Sequence, residues 1–165
     1  MKMRGWLQFW RGKRHAGRRE ENRNKAGTGN ADKLPIVLRV RKKSRLVRAM
    51  VTELSDGAEL TLKGDLSQGK TVEAGGGCLT SEGNDGVAVF PLRKDTLASV
   101  LAIIERVGIV NRVQQIEIRK NGVLQFVSYD WLHDGMTLVD EGLPCAFLDQ
   151  LVADGILSGY EHNAH

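Results

Sequence analysis

The chain has 165 residues, enough for one domain of ordinary size with room for tails, and 41% hydrophobic with 27% charged residues is the balance of a soluble globular protein. No apolar run approaches the roughly 20 residues a membrane helix needs, and Arg11, Lys13 and Arg14 interrupt any secretory apolar region at once. The net charge of +4 conceals a division: residues 1–50 hold 16 Lys/Arg against 3 Asp/Glu, whereas residues 51–165 hold 8 against 17. Such asymmetry points to an anionic partner for the first part, or to an electrostatic contact between the parts.

Residues 1–33 read as a basic arm, unfolded because ten Lys/Arg and scattered glycines give no apolar periodicity able to offset ordering entropy. Within it Trp6, Phe9 and Trp10 stand between Arg4 and Arg11, with Arg14 close behind. Aromatics interleaved with cations stack on single-stranded bases while Arg and Lys neutralise phosphates. The same composition suits an anionic membrane surface, or an ordinary solvated tail whose tryptophans dock on the domain.

A single folded domain is expected over 34–161, with 162–165 as a tail. Pro35 to Arg41 alternates as a strand with Arg39 and Arg41 on one face. Leu46, Val47, Met50, Val51 and Leu54 fit a helical stripe, but the β-branched content and Asp56-Gly57 favour a hairpin pairing with 58–63. On a sheet, the seven Lys/Arg between Lys33 and Arg48, Lys43 and Arg45 among them, make a positive surface. Residues 64–86 hold seven glycines and read as a long loop. Val87 to Leu92 suits a buried strand, and Asp95 caps a helix running to Val107 with Leu97, Val100, Leu101 and Ile104 inward.

The best-marked turn is Asn121-Gly122, where both residues tolerate positive φ, between the arms 113–119 and 123–129. With a regular register Ile118 faces Gln125 and Ile116 faces Val127. That puts Ile116, Ile118, Val123, Val127 and Tyr129 on one face, with Leu124 and Phe126 on the other. Beyond it lie a short strand at 136–139, a second helix after Pro144 with Phe147, Leu148, Leu151 and Val152 inward, and a last strand at 156–160. Hairpins interleaved with two helices indicate an α+β domain with a mainly antiparallel sheet.

Three groupings carry possible chemistry. Asp130, His133 and Asp134 follow the hairpin and are the candidate catalytic set, since a carboxylate can orient a histidine that titrates near neutrality. A metal would need further ligands that the spacing does not supply. The alternative is a turn, with Trp131 and Leu132 pinned to the core and His133 on the surface. Gly64 to Thr71 matches the phosphate-binding loop pattern, with Gly64, Gly69, Lys70 and Thr71 at its fixed positions, though Gly75-Gly76-Gly77 interrupts the helix that should follow. Cys78 and Cys145 lack a CxxC and a disulfide framework and read as reduced residues of a cytoplasmic protein, Cys145 in the core and Cys78 as a small buried hydrophobe or, after its glycine run, an exposed thiol.

Arg41-Lys42-Lys43-Ser44-Arg45 followed by Asp65-Leu66-Ser67 resembles the paired motifs of PilZ domains, with Lys70 at the closing glycine position and Gly69 one place early. The resemblance covers about 30 residues. It implies a β-barrel in which Arg41, Arg45, Asp65 and Ser67 contact cyclic di-GMP.

Taken together, the residues favour a non-enzymatic binding or regulatory domain of inhibitor or immunity type, without cofactor or metal. A protein partner, basic in character, is expected for the acidic part, and nucleic acid is the anionic candidate for residues 1–48. A nucleotide binder using the 64–71 loop or Arg41/Arg45, and a small enzyme using Asp130, His133 and Asp134, are the alternatives.

Overall fold

The computed structural model describes residues 36–66, 77–82, 85–107 and 112–162, all within one compact unit spanning 32–165. Its elements in chain order are β1 (Ile36–Val40), α1 (Lys43–Glu53), β2 (Ala58–Gly64), β3 (Cys78–Glu82), β4 (Asp85–Leu92), α2 (Leu97–Val107), β5 (Val113–Lys120), β6 (Val123–Tyr129), β7 (Thr137–Val139), α3 (Cys145–Ala153) and β8 (Leu157–His162). The strands form one eight-stranded sheet in the order β3-β4-β2-β5-β6-β7-β1-β8. Every pairing is antiparallel. This is the α+β class expected, with β3 and β8 as the edges of an open sheet among the described residues rather than the closed barrel a PilZ likeness implies.

Alternation along the strands defines two faces. On one, Phe90, Leu60, Ile118, Phe126, Val139 and Ile36 form a single row across six strands, each in register with the next. All six are buried to within 2%. The buried residues of α1, α2 and α3 join the same core cluster, so the helices share this face. Removing each such side chain from water contributes roughly 1.5–3 kcal/mol before chain entropy is counted.

Three helices are present among the described residues, not two. The segment 46–54 belongs to a helix, so the hairpin expected there is wrong. Leu46, Val47, Met50 and Val51 are each fully buried on one side of α1. The β-branched residues do not decide the matter because burial of a continuous stripe outweighs propensity. Thr52 is absorbed by donating to the Arg48 carbonyl at 2.8 Å. Asp56-Gly57 is only the turn into β2, with Gly57 at φ 72°.

The expected loop at 64–86 is likewise shorter, because 78–82 pairs with β4 as an edge strand. At the start of α2 Thr96, not Asp95, holds the position before the helix: its carbonyl accepts from Val100 at 3.0 Å, while its hydroxyl donates to the Pro91 carbonyl at 2.8 Å. In α3 Leu148 and Leu151 are buried, but Val152 is exposed. Both cysteines are exposed, against the core placement expected for Cys145 and in line with the exposed of the two readings of Cys78.

The hairpin β5–β6 turns at Asn121 and Gly122, with φ of 52° and 78°, as a type I′ turn requires. Its register then departs from the regular one. Arg119 faces Leu124, but Ile118 faces Phe126, so Gln125 is an extra residue in a bulge. Its carbonyl turns to accept the Asp140 N–H at 2.9 Å. One inserted residue exchanges the faces of everything after it. Phe126 enters the core, while Val127 and Tyr129 join the opposite face with Glu117.

Past the bulge, Ser128 and Thr137 lie on the core face and are both buried, their hydroxyls 2.8 Å apart. Thr137→Val strands the Ser128 hydroxyl and is expected to cost about 1–3 kcal/mol, whereas adding Ser128→Ala recovers most of that loss. Urea unfolding of the two single variants and the double variant measures this coupling.

Candidate functional site

The structure brings together two groups that lie about ninety residues apart in the chain. One is the junction between β1 and α1, carrying Arg39, Arg41, Lys42, Lys43 and Arg45. The other is the turn 130–136. Lys43 Nζ donates to the Trp131 carbonyl at 2.7 Å, and the Val40 N–H donates to Asp134 Oδ1 at 2.9 Å.

The turn has an unusual backbone. Asp130, Trp131 and Leu132 have φ of 50°, 56° and 56°, and the His133 N–H closes back on the Tyr129 carbonyl at 3.3 Å. A left-handed turn of L-residues costs roughly 1–2 kcal/mol per residue, less for Asp. Such strain persists only where the surroundings hold it. Leu132, 1% exposed, is the peg in the core, and Lys43 and Asp134 tie the flanks. The other consequence is that Trp131 is turned outward, 40% exposed, with Met136 at 44%. Only one of the two residues expected in the core is there.

The candidate catalytic set does not assemble. Asp134 is engaged by the Val40 N–H, and His133 Nδ1 lies 2.7 Å from the Asp134 carbonyl oxygen. Asp130, His133 and Asp134 are all exposed. Among the described residues no three His, Cys, Asp or Glu side chains converge in a way that would hold a metal ion.

The junction is cationic at a point where the helix itself is positive. The N-terminus of α1 has no side-chain cap and no acidic residue in its first turn. Lys42, Lys43 and Arg45 therefore sit against the helix dipole, each arrangement costing about 0.3–1 kcal/mol at an exposed position. Both Arg41 and Lys42 N–H groups are taken up by the Ile156 carbonyl, at 2.9 and 3.1 Å. The expected positive sheet surface is thus a strand end and a helix start, and part of its charge is spent internally. Arg39 pairs with Glu161 at 3.0 Å, Lys42 reaches the Asp154 carbonyl at 3.2 Å, and Arg48 pairs with Glu105 at 2.7 Å. Arg41 and Arg45 remain exposed to solvent.

Elsewhere on the sheet, opposite the helices, Glu117 gathers Lys63 at 3.7 Å, Arg119 at 3.1 Å and the Gln115 amide. Burial raises the Tyr129 hydroxyl above its ordinary pKa, and the Glu117 charge adds to this while Arg119 opposes it. Gly64 ends β2 between Gly86 and Val113, where a side chain would collide with the Arg112 and Gln114 backbone. Close strand packing accounts for that glycine. Gly69, Lys70 and Thr71, with Ser67, lie outside the described residues, as do Arg4, Trp6, Trp10, Arg11 and Arg14.

Among the described residues no helix is long and apolar enough to cross a membrane. Compared with protein-family models, with curated proteins and with solved structures, the chain matches none.

Proposed function

We propose that this protein is a non-enzymatic, cytoplasmic binding domain whose β1–α1 junction and 130–136 turn receive an anionic macromolecule, single-stranded nucleic acid being the partner their chemistry fits best. The observation that carries the reading is an exposed tryptophan on a strained turn, tied by Lys43 to a helix start crowded with cations. Cations placed against a helix dipole cost stability, and an anion beside them removes that cost. An aromatic face adds about 1–3 kcal/mol per stacked base. Two of the three residues suited by type to acid–base chemistry, Asp134 and His133, instead contact backbone, which favours binding over catalysis. The cations and tryptophans of residues 1–33 supply the same chemistry and belong to the same reading.

The test is binding of labelled single-stranded RNA and DNA to the full-length protein over a salt series. Arg41→Glu/Arg45→Glu is expected to weaken binding more than about tenfold at low salt and to reduce the salt slope by about two, one for each arginine that no longer neutralises a phosphate. Binding and slope unchanged by the double reversal would remove the junction from the site. Retained binding with a reduced slope assigns the remainder to residues 1–33.

A further inference from the structure

At the far edge of the sheet from β3, no strand among the described residues pairs with the outer side of β8. Free edges are usually guarded by Lys, Pro or a very short strand. β8 has six residues, Leu-Ser-Gly-Tyr-Glu-His, without Lys or Pro; its bulge at Ser158 lies at the Leu157 end, away from Tyr160 to His162. Its backbone orientation follows from its neighbour. The Val40 N–H points away from β8, to Asp134, and main-chain groups alternate sides along a strand. Val37 and Arg39 therefore bond to their register partners Glu161 and Gly159. The main-chain groups of Tyr160 and His162 are left directed at the open edge.

Carboxylates predominate along this edge, each with one partner already in place. Tyr160 donates to Asp149 at 2.8 Å, Glu161 is half exposed beside Arg39, and His162 lies 3.9 Å from Glu141. From residue 121 to the end the sequence has seven Asp/Glu and no Lys or Arg. An incoming strand would thus find main-chain donors and acceptors flanked by carboxylates.

We infer that β8 is a strand-addition site for an extended basic segment of a protein partner, which joins the sheet antiparallel or parallel to β8 through main-chain bonds while its Lys or Arg side chains meet Glu161 on one face or Asp149 and Glu141 on the other. This site adjoins the nucleic-acid surface proposed above, the two meeting at the Arg39–Glu161 pair, and takes a ligand of opposite charge.

The probe is a labelled eight-residue peptide of alternating Lys and Val with blocked ends, titrated onto the full-length protein, with amide hydrogen exchange read at Tyr160 and His162. Saturable binding that slows exchange at those two amides is expected. An alternating Glu-Val peptide should not bind. Two further probes carry N-methyl groups on either the Lys or the Val amides. Strand addition requires that one of them keeps its affinity and the other loses about thirtyfold, through two missing main-chain bonds. Glu161→Lys should weaken the unmethylated peptide about tenfold, as reversal of a rim charge does. Equal binding of both methylated peptides would reduce the site to a diffuse acidic patch and overturn the proposal. Absence of binding would overturn it too, as would a self-associated protein in which the Tyr160 and His162 amides are already protected by a second copy.

Discussion

Phe126→Ala is expected to lower the unfolding free energy by about 3–5 kcal/mol, among the largest losses from a single truncation in the sheet. Phe126 is fully buried at the middle of the row from Phe90 to Ile36, with Ile118 on one side and Val139 on the other. Neither flank can collapse into the space, because both are held by strand pairing, so lost transfer energy and an unrelaxed cavity add together. Against a total stability of about 5–15 kcal/mol for an ordinary domain, this brings the chain close to its unfolding limit. Urea denaturation measures it, with Val123→Ala, 55% exposed in the same strand, expected to stay within about 0.5 kcal/mol. The experiment also reads the register. Without the bulge at Gln125, Phe126 would lie on the face of Glu117 and Arg119, and its truncation would cost under about 1.5 kcal/mol.

That bulge marks where the sequence stops being informative. The Asn121-Gly122 turn was legible because only residues tolerant of positive φ occupy it, and it lies where expected. The alternation of Val123 to Tyr129 was equally plain, but alternation fixes two faces without saying which is inward when one residue is extra. Gln125 has no side-chain feature that announces a bulge. What holds it is the Asp140 N–H, fifteen residues away. The stripe of α1 was visible as Leu46, Val47, Met50, Val51 and Leu54, and lost to β-branched content and the Asp56-Gly57 turn signal. A stripe that closes on four fully buried positions is the stronger signal, since tertiary burial outweighs propensity.

The proposed binding surface was legible only in halves. Its cations are six of the ten residues from Arg39 to Arg48, with no acidic residue among them, and its turn follows the best-marked hairpin in the chain. Nothing local shows that Lys43 reaches Trp131, because the pairing of β1 beside β7 that brings them together is set by the whole sheet. The expectation that Trp131 and Leu132 are both in the core fails for a backbone reason. An Asp-Trp-Leu sequence gives no indication of three consecutive positive φ values, which are rare for such residues.

Leu132 supplies the sharpest test of that turn. Leu132→Ala is expected to cost about 2–5 kcal/mol, since a side chain 1% exposed leaves a cavity where it anchored the loop. The comparison with Leu132→Gly carries more information. At an ordinary buried position glycine is worse than alanine by roughly 0.5–1 kcal/mol, because it frees the unfolded chain. At φ 56° alanine retains the left-handed strain of roughly 1–2 kcal/mol while glycine relieves it. The two effects oppose each other, and the strain is the larger. Leu132→Gly should therefore be no less stable than Leu132→Ala, and more stable by up to about 1 kcal/mol. Thermal or urea unfolding of the pair decides it: the usual order, alanine above glycine by about 0.5–1 kcal/mol, would mean that the turn is not left-handed in solution. The same variants separate stability from binding. Both lose the peg that opposes the strain, so the Trp131 carbonyl is no longer fixed against Lys43, and affinity for single-stranded nucleic acid should fall in both even where glycine recovers stability. A turn that serves only the fold would regain affinity along with stability, and the strain would then have no part in presenting Trp131.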